Sequence, residues 1–238
     1  MDLDLAIIAV AAGYLMGSVS FARLVTRWVR PDEDVTKLQF EVAGTEERAA
    51  VDVVGANAAS MILGPKLGLL VAVLDMLKVA VPMLAFKLWF PGQSYFLLVA
   101  IAGLAGHNWP VYYRFMGGRG FSVIVASFFV LDWLGPLVTI PVGILLGVLV
   151  VRNLFVAYVA WLWLMVPWLW FRSHDAAYVA YAIAANLVFL IATLPEIRTF
   201  VQYRREGKLD AYMEGLTASS PRWRGMKKIA DRLRQPGK

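Results

Sequence analysis

Gly68-Leu-Leu-Val-Ala-Val-Leu-Asp-Met-Leu-Lys-Val-Ala-Val-Pro-Met-Leu-Ala-Phe-Lys-Leu-Trp-Phe90 is an unbroken apolar run with three ionisable side chains, Asp75, Lys78 and Lys87. A helix needs about 20 such residues to cross the hydrocarbon core of a bilayer. The run therefore reads as a membrane span. Ionisable groups at membrane depth are costly and face a cavity or one another. Asp75 and Lys78 stand at i and i+3, on one helix face. They are expected either to pair or to form the polar wall of a substrate cavity.

The rest of the chain reads the same way. It has 238 residues, 60% of them hydrophobic, with a mean hydropathy of +0.63. Soluble domains are roughly 45–50% apolar, so lipid must cover the excess. Leu5 to Val25 forms a first span. The acidic Met-Asp-Leu-Asp start lacks the basic region of a secretory signal, so this span is expected to be retained. A third span runs from Tyr95 to about Tyr113 after the Pro91-Gly92 turn. Asp132 and Gly135-Pro136 break the long segment 121–152 into a short fourth span, 121–131, and a fifth, 136–151. Leu154–Phe171 and Tyr178–Leu194 make the sixth and seventh. The polar stretch 27–60 is rich in acids, and its part Lys37–Gly44 can be extended or irregular on sequence grounds.

Cations set the orientation. Arg27, Arg30, Lys37, Arg48, Lys66, Arg114, Arg119 and Arg152 follow odd-numbered spans, whereas the other side shows Asp2, Asp4 and Asp132 with Arg172 and Lys87 as its cations. The expected fold is an all-α integral membrane protein with about seven transmembrane helices, N-terminus outside and C-terminus cytoplasmic. Residues 1–195, with the cytoplasmic loop 27–66, would form the membrane domain. Residues 196–238 would form a basic cytoplasmic tail. Eleven of the 23 Lys and Arg lie from Arg198 onward. Such a segment is read as solvated or attracted to anionic lipid at about 1 kcal/mol per cation, not as a nucleic-acid arm.

There is no cysteine, and the two histidines, His107 and His174, are far apart. Thiolate nucleophiles and disulfides are excluded, and neither a metal site nor an organic cofactor is expected. The Trp-rich spans read as interface belts or helix contacts.

The stretch most suggestive of chemistry is Gly106-His-Asn-Trp-Pro-Val-Tyr-Tyr-Arg-Phe-Met-Gly-Gly-Arg-Gly120. Gly117, Gly118 and Gly120 allow close approach of a ligand to backbone N–H groups. The helix expected from Phe121 points its positive end at the loop. Arg119 adds a permanent planar cation matched to phosphate. A tight turn with a positive-inside arginine would look the same. His107, near the loop, can cap or hydrogen-bond, accept a hydroxyl proton as neutral imidazole, or bind phosphate as a cation.

These residues carry a resemblance to the bacterial acyl-phosphate:glycerol-3-phosphate acyltransferases, the PlsY family. Gly106, His107, Pro110, Phe115, Gly117, Gly118, Arg119 and Gly120 match that family's second motif in order, with Arg119 in place of Lys. Gly17-Ser-Val-Ser-Phe21 and Gly64-Pro-Lys…Leu74-Asp-Met-Leu-Lys78 resemble two further signatures. The resemblance covers roughly residues 10–200. It implies the same seven-span topology, acyl phosphate and glycerol 3-phosphate as substrates, and an active face at the cytoplasmic side of the bacterial plasma membrane. It implies that Arg119 and the 117–120 amides hold a phosphate, that His107 orients or deprotonates, and that Ser18 is a further candidate catalytic residue. Gly55 and Asn57 fall on the family's first, phosphate-loop motif.

Two motifs depart from the family. Asn57-Ala58 replaces a Thr-Asn pair, Asp52-Val53-Val54 stands where Gly-Asn is expected, and acids precede it. Glu196 takes the place of an Asn in the third motif, whose flanking cations are missing; Arg198 or Arg204 could compensate. The leading expectation is a membrane acyltransferase making lysophosphatidic acid. The alternative is a divergent paralogue that binds lipid or acyl phosphate, or acylates another acceptor. A small-solute or lipid transporter is disfavoured because no paired broken helices appear. The outcome turns on the 44–60 loop: amides or Asn57 beside Arg119 support the acyltransferase, whereas Glu41, Glu46 or Asp52 in the site would oppose phosphate.

Overall fold

The computed structural model describes residues 2–51 and 53–234, so Asp52 lies outside the described residues. The side chain of Asp2 starts α1 (Leu3–Gly17) by accepting the N–H groups of Asp4 and Leu5 at 2.9 and 3.1 Å, a standard cap. The expected first span is two helices. Ser18 ends α1, its hydroxyl donating to the Tyr14 carbonyl at 2.8 Å. The chain then turns through extended Ser20 into α2 (Phe21–Val29). Such hydroxyl-to-backbone bonds compete with continued helix.

The polar stretch contains the one departure from a wholly helical fold among the described residues. β1 (Gln39–Glu41) pairs antiparallel with β2 (Arg48–Ala50), Phe40 opposite Ala49, and both of these side chains are buried. Then come α3 (Ala56–Leu63) and α4 (Pro65–Trp89). Gly64 turns the corner between them at φ +85°, where a side chain would be strained, and Pro65 fits the first turn of α4. After α5 (Tyr95–Asn108) and a short 3₁₀ turn come α6 (Phe121–Leu131) and α7 (Leu134–Leu145), which runs into a π turn over 146–150. The chain ends in α8 (Leu154–Ser173), α9 (Ala176–Arg205), α10 (Leu209–Ser219) and α11 (Pro221–Arg234).

The stretch Leu3–Val29, α4, α8 and α9 are long and apolar enough to cross a membrane. Helices α5, α6 and α7 are shorter. The core lies among α4, α5, α6, α8 and α9, around the fully buried Trp161, Phe128 and Met83. Large apolar side chains cover much of the outside: Leu69, Val81, Leu88 and Phe171 are 66%, 60%, 68% and 74% exposed. Burial of such groups stabilises by about 1.5–3 kcal/mol each, and on this surface only lipid offers it.

The segment expected as a separate tail is packed onto the body. α9 passes through residues 195 and 196 without a break. α10 lies on the hairpin, with the Ala43 N–H donating to the Ala211 carbonyl at 3.1 Å. Phe40, Tyr203, Tyr212 and Trp223 share one apolar cluster. α11 returns to the π turn, where Arg234 Nε donates to the Val148 carbonyl at 3.3 Å. Net charge alone suggested a solvated arm; the aromatic residues spaced through it are what dock it.

Candidate active site

Several elements bring a start or an end to one cavity of about 570 Å³. The helix beginning at Ala56 contributes Gly55, Ala56 and Asn57; the one beginning at Phe121 contributes Arg119, Gly120 and Phe121; the one beginning at Pro221 contributes Pro221 and Arg222. Three helix starts thus turn their positive dipole ends toward one space, although at α11 Pro221 carries no N–H and the Trp223 N–H donates to the Ser220 hydroxyl at 3.4 Å. Gly120 takes φ +77° ahead of α6, and a Cβ there would meet Leu104 Cδ1 at 2.0 Å and Asn108 Oδ1 at 2.8 Å.

Arg119 is the cation expected from sequence, and it is largely enclosed, with its side chain 14% exposed. Its Nε and Nη2 are buried with no hydrogen-bond partner. The nearest anion is Glu196, whose Oε2 lies 3.6 Å from Nε, beyond a good charged hydrogen bond. Buried donors left unmade cost about 1–3 kcal/mol, so the guanidinium is poised for an anionic ligand.

His107 lines the same cavity but is engaged on several sides. Its Nδ1 is 3.0 Å from Lys78 Nζ, so Nδ1 accepts when the lysine is charged. Lys78 also donates to the Val19 carbonyl at 2.6 Å and pairs with Asp75 at 2.8 Å. Both readings of Asp75 and Lys78 therefore apply: they form a buried ion pair, and Asp75 lines the cavity. The Nε2 edge of His107 abuts Gly118, where an added Cβ would fall 2.2 Å away. The His107 carbonyl accepts the Gly118 N–H at 3.0 Å.

That last bond alters the expected role of the glycine loop. The Gly118 amide is spent inside the loop, and neither Gly117 nor Gly118 lines the cavity. Gly117 instead takes the Val54 N–H on its carbonyl at 3.1 Å, tying the first-motif region to the second. Gly120 and Arg119 remain at the cavity. Ser18 does not reach it: fully buried, its hydroxyl is held by the Tyr14 carbonyl and receives the Val111 N–H at 3.4 Å. Arg198 and Arg204 are exposed outside the cavity and do not replace the missing cations.

Asn57 lies in the cavity wall, its Oδ1 accepting the Ser220 hydroxyl at 2.7 Å. Glu41 and Glu46 are exposed and do not line it; Glu41 lies 3.6 Å from Arg48. The acid that does enter is Glu196. Sequence reasoning missed Arg222 and Trp223, which line the cavity from α11; the sole cue was Pro221-Arg-Trp-Arg, an aromatic residue inside a basic run. Among the described residues no group of three or more His, Cys, Asp or Glu could hold a metal ion.

Fold and site define a multi-helix membrane protein with an anion-suited cavity where its helix ends and polar loops meet. The sequence model of the family described as "Glycerol-3-phosphate acyltransferase" matches residues 7–209. The chain belongs to that family. Glycerol-3-phosphate acyltransferase 4 of Dehalococcoides mccartyi (strain CBDB1) is 32% identical over 59% of this chain, and the match spans 56% of that relative, a little over half its length. A Lactobacillus johnsonii (strain CNCM I-12250 / La1 / NCC 533) glycerol-3-phosphate acyltransferase is 27% identical over 81% of this chain and 84% of its own. Two crystal structures of PlsY, described as an integral membrane glycerol 3-phosphate acyltransferase, share the fold. The glycerol 3-phosphate form has a TM-score of 0.67 at 23% identity, and the lysophosphatidic acid form 0.65 at 21%; each comparison covers 84% of this chain and 93% of the other.

Proposed function

We propose that this chain is a membrane glycerol-3-phosphate acyltransferase that takes its acyl group from an acyl phosphate and makes lysophosphatidic acid for phospholipid synthesis. The observation that carries the reading is the enclosed Arg119, with two donor nitrogens unpartnered, in a cavity entered by three helix starts. The glycerol hydroxyl attacks the acyl carbon, a new ester C–O bond forms, the acyl C–O bond to the phosphate group breaks, and inorganic phosphate leaves, taking up the hydroxyl proton. Positioning and stabilisation of developing charge supply most of the rate in such a site. Arg119, Gly120, the α6 N-terminus, Gly55 and Asn57 hold phosphate. His107 orients, keeping the Gly117-Gly118 turn in place. The apolar part of the cavity, with Phe121, Trp161 and Phe189, suits an acyl chain.

Seven crossings, with the N-terminus outside and the cavity at the cytoplasmic face of a bacterial plasma membrane, complete the proposal. Contacts support it. Asp132 meets Arg172 at 3.0 Å on the side expected to be outside, while the glycine loop, the hairpin and α10–α11 gather at the other. The test is phosphate release by purified, lipid-reconstituted protein given palmitoyl phosphate and glycerol 3-phosphate. Release should depend on the acceptor and fall at least a hundredfold in Arg119→Ala. No release above that variant, from folded protein, rejects the reading.

Glu196 favours a second reading, a divergent paralogue with another acceptor. A carboxylate beside the phosphate site disfavours a doubly charged acceptor. Release driven by an uncharged polyol but not by glycerol 3-phosphate would establish it.

A further inference from the structure

The family match ends at residue 209, yet α11 beyond it lines the same cavity as Arg119. Arg222 enters from there. Its Nη1 donates to the Tyr158 hydroxyl at 2.9 Å. Its guanidinium lies 4.7 Å over the Tyr158 ring and 5.1 Å over that of Trp223. Stacking on two rings fixes the plane of the fork while leaving donor edges available. Nε is one such edge, buried and without a hydrogen-bond partner. One residue earlier than α11, Ser220 donates to Asn57, the first-motif residue that departs from the family pattern. The third motif lacks its cations, and neither Arg198 nor Arg204 supplies them.

We infer that Arg222 is a second phosphate-binding side chain, and that α10–α11 complete the substrate cavity by bringing it in and by holding Asn57 through Ser220. The ligand is a phosphate monoester or an acyl phosphate. The inference deepens the acyltransferase reading and, in naming these substrates, rests on it. It explains how a chain with two altered phosphate motifs keeps two cations on the cavity: one comes from the glycine loop and the other from the extension.

The test uses full-length protein in lipid nanodiscs, with Arg222→Gln and Arg222→Lys. The readouts are binding of inorganic phosphate, separate KM values for palmitoyl phosphate and glycerol 3-phosphate, and the unfolding temperature. Arg222→Gln should weaken phosphate binding tenfold or more and raise one KM by a similar factor with kcat less affected. Arg222→Lys should recover part of both. The substrate whose KM moves is the one whose phosphate Arg222 holds. Wild-type binding and KM values in Arg222→Gln overturn the inference. Equal losses in both variants with a lowered unfolding temperature also overturn it, assigning Arg222 to the docking of α11. If wild type releases no phosphate but binds it through Arg222, the reaction is rejected and the site stands. A wild-type protein that neither releases nor binds phosphate rejects both.

Discussion

Arg119 and Glu196 face each other across 3.6 Å, and the balance between them decides how strongly the cavity attracts an anion. The Glu196 carboxylate and a phosphate bound at Arg119 repel by an amount that depends on local solvent, on the order of 1–4 kcal/mol. Glu196→Gln should therefore tighten inorganic phosphate binding about tenfold, read by calorimetry in nanodiscs. Weaker binding would instead show that Glu196 supports the guanidinium. The identity of Arg119 was legible because glycines, a helix start and a planar cation are adjacent in the chain. The commitment of the Gly118 amide to the His107 carbonyl was not, because that bond depends on how the loop folds back over ten residues. Ser18 misled for the opposite reason: it sits in a family-like motif, but its hydroxyl is occupied at the end of α1.

Helix α1 meets α5 at glycine. A Cβ on Gly13 would lie 2.3 Å from the Val99 carbonyl oxygen and one on Gly17 2.1 Å from that of Gly103. Close backbone approach is what small residues allow between membrane helices. Gly17→Val should cost about 1–3 kcal/mol through overpacking, seen as a lower unfolding temperature in detergent. The hairpin docks differently, through Glu47, which accepts the Tyr203 hydroxyl at 2.7 Å and Lys208 at 3.0 Å. The tyrosine hydrogen bond, then the lysine, holds the Glu47 carboxyl below its ordinary value, and the same contact holds Lys208 above its own. For the depressed carboxyl the contribution is present above its unfolded value and lost as pH falls through the folded one. For the raised lysine it is present below the unfolded value and lost as pH rises through the folded one. The protection of amides 39–50 against exchange, taken relative to the intrinsic rate at each pH, should thus be high at neutral pH and fall in acid. Glu47→Gln should remove that acid dependence, and an unchanged profile would show that the apolar cluster alone holds the hairpin.

At the scale of the whole molecule, the proposed sidedness can be tested directly. Because the chain has no cysteine, single cysteines can report sidedness without background. Asp175→Cys, between α8 and α9, should be labelled by an impermeant maleimide from outside the cell. Lys227→Cys on α11 should be labelled only after the membrane is opened. Labelling of both from one side would overturn the seven-crossing arrangement. The folded chain brings Asn57, the end of the glycine loop and α11 to one cavity, although Asn57 and Ser220, which are hydrogen-bonded there, stand 163 residues apart in sequence.

The amino-acid sequence alone determined that lipid surrounds this chain, because apolar runs of bilayer length need no tertiary contact to be recognised. It also placed the starts of α5, α6 and α8, and showed that a glycine loop with an arginine precedes α6, because breakers and loop charge act over a few residues. Tertiary structure alone decided the division of the first span at Ser18–Ser20, the docking of the basic segment after residue 195, the approach of Glu196 to Arg119, and the entry of Arg222 into the cavity. These depend on packing between segments distant in sequence, such as Trp223 with Tyr212 and Phe40. Local pattern carries no signal for such contacts, and their free energy exists only once the helices are assembled.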